Sequence, residues 1–107
     1  RRTIYLLNAD WSSDREQRPA TFVYNGRKFP VSVRRYHIET IHCSEGLAVM
    51  PASNTTDVLS IERNGNGWTV KVQNTEGDVI QCMNAITGKV ESVKFDQPGI
   101  HEVSVNE

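Results

Sequence analysis

The sequence predicts an all-β fold, an antiparallel β-sandwich of about 8–10 short strands with an immunoglobulin-like or jelly-roll-like architecture. Three observations predict it. Apolar and polar residues alternate along most of the chain, as in strands with one buried face. Turn-forming residues separate these runs at intervals of about 8–12 residues. No segment carries the sustained apolar stripe of a long amphipathic helix.

In chain order, the alternation places strands near residues 3–7, 20–24, 28–34, 37–43, 47–50, 57–63, 67–73, 78–83, 90–95 and 99–105. The clearest turn is Asn25-Gly26, because both residues tolerate the positive φ angles of a type I′ hairpin. Further turns are expected at residues 64–67, 76–78, 87–89 and 97–99. Two stretches lack alternation and are predicted loops, residues 8–19 and 51–56. Long loops in a β domain often carry binding residues.

Length and charge narrow the class of protein. A chain of 107 residues fits one domain, so residues 1–107 are expected to form a single sandwich. The net charge of −1 argues against a nucleic-acid partner, which usually requires a basic excess. No apolar run approaches the roughly 18–20 residues of a membrane span. The start at Arg1, without an initiating Met or a leader, favours a domain excised from a longer protein.

Two cysteines, Cys43 and Cys82, are compatible with one disulfide or with two free thiols. A disulfide would close a long loop and imply an oxidising compartment. Free cysteine behaves as a small buried hydrophobe. The sequence leaves both states open.

No catalytic or metal-binding motif stands out. The oxygen ligands of the 8–19 loop lack the spacing and the glycine of a calcium loop. His37, His42 and Cys43 share a predicted strand, whose alternation prevents all three from facing one zinc ion. The glycine-rich residues 64–67 precede a strand, where an anion site would need a helix. The prediction is therefore a non-enzymatic domain without cofactor or metal.

The aromatic residues offer a ligand-binding hypothesis. Trp11 lies in the polar 8–19 loop with Asn8 and Asp10, where its ring could serve as a carbohydrate platform or fold back onto the core. Tyr24 and Tyr36 flank turns and could serve either role. Trp68 and Tyr5 alternate with apolar neighbours and are predicted to be core residues. The predicted ligand-binding residues are Asn8, Asp10, Trp11, Tyr24 and Tyr36.

Three segments resemble a known group of domains. Residues 3–11 (TIYLLNADW), 67–79 (GWTVKVQNTEGDV) and 98–105 (PGIHEVSV) resemble the C-terminal β-sandwich, immunoglobulin-like accessory domains of secreted bacterial carbohydrate-active enzymes. The resemblance covers the two ends and the middle of the chain, as pattern only. It carries no catalytic motif, so it transfers no functional residue.

That resemblance implies a non-catalytic accessory module of a glycoside-processing enzyme, whose partner is the catalytic domain of the same parent chain. The expected location is secreted, periplasmic or at the cell surface. Two alternatives remain open: an independent carbohydrate-binding module that binds polysaccharide, and a protein-interaction or adhesion module that pairs through an exposed strand edge.

Overall fold

The described part of the chain is built from ten β-strands. The computed structural model describes residues 1–7, 17–34 and 37–107, without the side chains of Leu7 and Gln17. The strands are β1 (Arg2–Leu7), β2 (Gln17–Tyr24), β3 (Arg27–Arg34), β4 (Ile38–Ser44), β5 (Leu47–Pro51), β6 (Asp57–Asn64), β7 (Gly67–Asn74), β8 (Val79–Asn84), β9 (Val90–Lys94) and β10 (Gly99–Asn106).

All ten predicted strands are present, and most of their ends lie within one residue of the prediction. Only the start of β2 differs by more than one residue, and two of the one-residue differences also change an assignment made above. Residues 17–19, predicted as loop, extend β2, because the Asn25-Gly26 turn sets a register in which they pair with residues 32–34. Pro51, also predicted as loop, ends β5. His37 lies just before β4 and not within it.

The strands form three antiparallel sheets. A five-stranded central sheet has the order β1-β4-β5-β8-β9, a three-stranded outer sheet has the order β10-β7-β6, and β2 and β3 form a hairpin. The outer sheet packs on one face of the central sheet, and the hairpin packs on the opposite face. This arrangement confirms the predicted all-β sandwich, and the hairpin adds a third layer that the alternation did not predict.

The first core lies between the central and outer sheets. Trp68 is its largest member, only 1% exposed, and its Nε1–H donates to the Glu45 carbonyl oxygen at 3.0 Å. That bond satisfies the indole donor and removes the cost of burying it. The prediction that Trp68 is a core residue is confirmed. Around it pack Leu47, Val49, Val58, Ile61, Val70, Val72, Ile80, Cys82, Phe95 and Val105.

The second core lies between the central sheet and the hairpin. Phe22 and Phe29 come from the hairpin, with ring centroids 6.5 Å apart, and meet Ile41, Ala48 and Met83 of the central sheet. Every residue of β5 is buried, since this strand contributes side chains to both cores. Such coverage on both faces explains the uninterrupted apolar run at residues 47–50.

Both cysteines are buried free thiols. Cys43 pairs with Ala48, and Cys82 pairs with the next residue along, Val49. Successive strand residues point to opposite faces, so the two thiols lie in different cores. Of the two states that the sequence leaves open, the structure has the free thiols, because the central sheet separates the sulfur atoms.

The hairpin turn has the predicted type I′ geometry. Asn25 and Gly26 both have positive φ, 50° and 78°. Glu45 and Gly46 repeat this geometry between β4 and β5, with φ of 50° and 92°. The two turns are joined by a hydrogen bond from the Gly46 N–H to the Tyr24 hydroxyl at 3.1 Å, which ties the hairpin to the central sheet.

Candidate functional site

Four of the predicted ligand-binding residues, Asn8, Asp10, Trp11 and Tyr36, lie outside the described residues, and their role stays a prediction. Tyr24 is described. Its ring packs 6.1 Å from that of Phe22 at the edge of the second core, and its hydroxyl accepts the Gly46 N–H. Packing therefore accounts for the position of Tyr24.

Tyr5 was predicted to be a core residue, and that prediction is wrong. It lies on the edge strand β1, opposite Thr40 of β4, and is 69% exposed. It shares a face of the central sheet with Thr3 and His42, since these positions alternate with the buried face of β4. The outer sheet covers this face at β5 and β8 but leaves Tyr5 uncovered.

Strands β4 and β5 of the central sheet separate near Tyr5. Pairing between β4 and β5 ends at His42–Val49. Beyond that pair, β4 continues along β1 to Ile38, and β5 continues along β8 to Pro51. The two strands therefore part, and a crevice opens between them. We call this space the crevice. It lies between residues 38–42 and 50–58 and extends past Arg34 to the hairpin and to strands β8 and β9.

An ion pair lies at the end of the crevice. Arg34, the last residue of β3, donates through Nε to Glu39 Oε1 at 2.6 Å. Glu39 is only 3% exposed, whereas the Arg34 side chain is partly exposed. A buried carboxylate needs a charged, hydrogen-bonded partner to offset its lost hydration. The pair therefore joins the hairpin to β4 and leaves a guanidinium in contact with the crevice.

Two cavities meet at this ion pair, and both are lined by Arg34, Glu39 and Pro51. One, of about 420 Å³, lies on the hairpin side. Its lining combines apolar residues with polar ones and includes Pro30, Met50, Val79, Ser32, Gln81 and Ser92. The other, of about 250 Å³, lies on the Tyr5 side and includes Thr40, His42, Asn54, Thr56, Asp57 and Val58. Together they have the size and mixed lining of a small-molecule site.

Asp78 holds the loop that forms one wall of the crevice. Its carboxylate accepts hydrogen bonds from the hydroxyls of Thr56 and Thr55, each at 2.8 Å, and from that of Ser53 at 3.2 Å. On the other side it accepts the N–H and the hydroxyl of Thr75, each at 2.9 Å. Desolvation raises the pKa of Asp78, but these donors outweigh it and hold the pKa well below its ordinary value.

His42 contributes a neutral imidazole to the crevice. The Arg1 guanidinium donates to its Nδ1 at 2.9 Å, so Nδ1 accepts and the ring proton sits on Nε2. Burial and the positive charge of Arg1 lower the pKa of His42, against an opposing effect of Asp57. The ring is therefore uncharged near neutral pH and can offer one donor.

Few charged side chains line the crevice. Its charged residues among those described are Arg34, Glu39 and Asp57. The described residues also contain no group of three or more metal-ligating side chains. Donors and acceptors are mixed, so a ligand rich in hydroxyl groups, which both donate and accept, matches the lining.

Sequence reasoning missed Arg34, Glu39, Asp57 and Asp78. One signal was available, because Glu39 occupies a position of β4 that alternates with apolar Ile41 and Cys43 and is therefore directed at the core. A charged residue in such a position requires a partner. Nothing local indicated that the partner is Arg34.

Comparisons of the chain with protein-family models, with curated proteins and with solved structures return no match. Among the described residues, no helix is long and apolar enough to cross a membrane. The fold and the crevice are therefore the basis for any assignment of function.

Proposed function

We propose that the chain is a non-catalytic accessory module of a secreted bacterial glycoside-processing enzyme, in the extracellular, periplasmic or cell-surface space. In this role it packs on the catalytic domain of its parent chain and binds polysaccharide in the crevice. The crevice then extends the substrate-binding surface of the catalytic domain. The same site serves the second possibility, an independent carbohydrate-binding module.

The observation that carries the proposal is the crevice with Tyr5 beside it. The lining offers a guanidinium, carboxylates, hydroxyls and two amides, which can exchange hydrogen bonds with sugar hydroxyls. Tyr5 adds an exposed ring opposite Thr40, on the face that leads into the smaller cavity. Aromatic rings supply large contact area at low entropy cost, which suits a sugar face.

The first experiment titrates the 107-residue chain with a panel of plant and host polysaccharides, followed by backbone amide shifts. We expect saturable shifts at Thr40, His42 and Asp57. Tyr5→Ala should weaken binding about tenfold, or ~1.4 kcal/mol. Thr40→Val keeps the shape of the crevice but removes one hydroxyl, and should weaken binding about threefold to tenfold.

Ile100→Ala is the matched control. Ile100 is an exposed side chain on another edge strand, β10, and β7 separates it from Asp57 at the crevice, so its truncation should leave affinity unchanged. An absence of binding to every glycan would contradict the polysaccharide part of the proposal. Turnover of a polysaccharide by the isolated chain would contradict its non-catalytic part.

A protein-interaction or adhesion module is the second candidate, favoured by β1. This strand is an edge of the central sheet, and Thr3 to Leu7 carry no charge. Edge strands usually carry charge or proline that blocks pairing with another chain. Ile38, also exposed and adjacent to β1, extends this surface. Loss of partner binding in Ile38→Ser, with binding kept in Ile100→Ser, would favour this candidate.

A further inference from the structure

One oxygen of the buried ion pair has no hydrogen-bond donor. Glu39 accepts the Arg34 Nε–H through Oε1, and among the described residues no donor reaches Oε2. Among those residues, the side-chain nitrogen and oxygen atoms that are both enclosed and unpaired are Arg63 Nη1 and Asn84 Nδ2. Oε2 is therefore unpaired without being enclosed. Because the Glu39 side chain is almost fully buried and Glu39 lines both cavities, the open space that Oε2 reaches is the crevice.

Arg34 offers complementary groups beside this oxygen. Its Nε is the atom that bonds Glu39, so the N–H groups of Nη1 and Nη2 have no protein partner among the described residues. Arg34 also lines both cavities. Guanidinium groups donate hydrogen bonds and carboxylate oxygens accept them. Since the bond between Nε and Oε1 holds the two groups together, a free acceptor and free donors lie side by side, in positions that are fixed before a ligand binds.

The backbone of β4 presents two more groups to the same space. Ser44 and Leu47 flank the turn at Glu45 and Gly46 and therefore exchange both of their backbone hydrogen bonds. Every second residue of an antiparallel strand repeats this orientation. The N–H and C=O of residue 42 therefore point towards β5, and so do those of Thr40.

A proline explains why the Thr40 groups stay unpaired. The residue that would continue the ladder opposite Thr40 is Pro51, which has no N–H. It cannot donate to the Thr40 carbonyl oxygen, and the pairing of β4 with β5 ends one pair earlier, at His42–Val49. Thr40 lines the smaller cavity, so its N–H and C=O add one donor and one acceptor to the crevice.

The charges at the crevice balance. Glu39 compensates Arg34 through their hydrogen bond. Two further charges act on His42, which lines the smaller cavity: the positive charge of Arg1 and the negative charge of Asp57. Two cations and two carboxylates leave no excess charge that would attract a charged polymer. An anionic group placed next to Arg34 would also lie beside Glu39, where the two negative charges repel each other in a partly buried space.

We infer that Glu39 and Arg34 form the subsite that determines specificity in the crevice, where they bind two neighbouring hydroxyl groups of an uncharged polysaccharide. One hydroxyl donates to Glu39 Oε2, and the other accepts from an Nη of Arg34. The Thr40 backbone bonds a further hydroxyl. The inference rests on the proposed function and adds to it a ligand class, neutral glycans over acidic ones, together with the residues that select it.

An extended peptide matches the crevice less well than a sugar does. A peptide that joins a sheet forms a ladder of backbone hydrogen bonds along a strand edge. On the β5 side the crevice offers Pro51, which lacks a donor. On the β4 side the orientation of Thr40 recurs only at Ile38, where the strand begins. A sugar needs a few donors and acceptors at one place, which is what Glu39, Arg34 and Thr40 supply.

The test measures binding of cellohexaose, xylohexaose, mannohexaose and hexagalacturonate to the intact chain by calorimetry. We expect at least one of the neutral oligosaccharides to bind, and hexagalacturonate to bind at least about tenfold more weakly than it. Glu39→Gln should weaken binding of the neutral ligand about tenfold, because the variant removes a charged acceptor. The same variant should strengthen binding of hexagalacturonate about threefold, because Arg34 loses its compensating carboxylate.

Opposite changes for the two ligands distinguish specificity from a damaged fold, since a damaged fold lowers both affinities. The control is Glu102→Gln, which removes the same charge from β10, a strand that β7 separates from Asp57 at the crevice. It should change both affinities by less than about twofold, because its charge is exposed and screened. Equal losses for both ligands in Glu39→Gln, or equal effects of the two variants, would overturn the inference.

A second measurement varies the ligand and leaves the fold intact. Deoxy derivatives of the neutral oligosaccharide each lack one hydroxyl, and two neighbouring positions should each lower the affinity about tenfold. The derivative without the hydroxyl that donates to Glu39 should bind the unchanged chain and Glu39→Gln with equal affinity, because the contact is absent from both complexes. Independent, additive losses would contradict the contact. Tighter binding of an uncharged peptide of alternating threonine and valine than of any hexaose would also overturn the inference.

The two proposals fail in different ways. If the neutral oligosaccharides bind through Tyr5 and neither Glu39→Gln nor the deoxy derivatives behave as expected, the proposed function stands and this inference is wrong. If no glycan binds, both are wrong.

Discussion

Asp78 shows how one side chain can organise two loops. It is buried, it precedes β8, and its carboxylate accepts hydrogen bonds from the 51–56 loop and from Thr75 after β7. Such bonds are worth more with an ionised acceptor than with a neutral one. The rigidity of the crevice wall therefore depends on the charge of a residue that does not line the crevice.

Replacing Asp78 by Asn should cost about 2 kcal/mol in the free energy of unfolding, because the amide accepts through one oxygen and brings two protons among existing donors. The dependence on pH should change too. Since the folded-state pKa lies below the unfolded value of 3.8, the Asp78 contribution is full above that pH and declines as the pH falls further. Urea denaturation at pH 7 and at about pH 3 measures both effects.

Asp96→Asn is the control for this variant, because Asp96 is an exposed carboxylate in a neighbouring turn. It should change stability at pH 7 by less than about 0.5 kcal/mol. If Asp78→Asn loses stability equally at both pH values, ionisation of Asp78 does not stabilise the fold.

The buried thiols should be unreactive in the folded protein. Burial, with a smaller effect of Glu91, raises the pKa of Cys82 to about 12, and burial raises the pKa of Cys43 despite the nearby Arg2. The reactive thiolate is therefore scarce at pH 8. We expect Ellman's reagent to label neither cysteine in the native chain and both in guanidinium. Rapid native labelling, or a disulfide formed without unfolding, would contradict the placement in two separate cores.

At the scale of the strands, two glycines constrain the fold in different ways. Gly67 begins β7, and a Cβ there would collide with the backbone carbonyl oxygen of Val105 on β10. Gly26 lies in the hairpin turn at φ 78° with open space around it. The first glycine permits a close approach between strands, and the second permits a left-handed backbone.

Gly67→Ala should therefore cost about 2–3 kcal/mol, since β10 must move, and Gly26→Ala about 1 kcal/mol. Amide shifts separate the two mechanisms, because the first variant should perturb residues throughout β10 and the second only the hairpin turn. The opposite order of stabilities would show that β10 adjusts without cost.

At the scale of the whole molecule, period-2 alternation and the spacing of the turn residues together predicted the ten described strands, although β5 is an uninterrupted apolar run. The Asn25-Gly26 turn was predicted with its type, because only a few residue pairs tolerate two successive positive φ angles. Both successes depend on local conformation. The alternation of apolar and polar residues indicates that a strand has one buried and one exposed face, and the turn residues indicate where the strand ends.

The layers and the crevice could not be predicted in this way. Tyr5 alternates as a core residue does, yet the outer sheet stops short of it. The crevice exists because β4 and β5 part after His42–Val49, which depends on pairing between distant segments. An uneven distribution of charge was also visible in the sequence, because residues 1–44 contain eight Lys and Arg but four Asp and Glu. The net charge of the whole chain, −1, does not show this difference.

The position of strand β5 protects its backbone amides from exchange with solvent. It lies between β4 and β8 and is covered on both faces, so no local fluctuation exposes its amides to water. The amide protons of Ala48 and Val49 should exchange with deuterium only when the whole chain unfolds. Their exchange rates then give the global free energy of unfolding directly, while amides on the edge strands β1 and β9 exchange earlier.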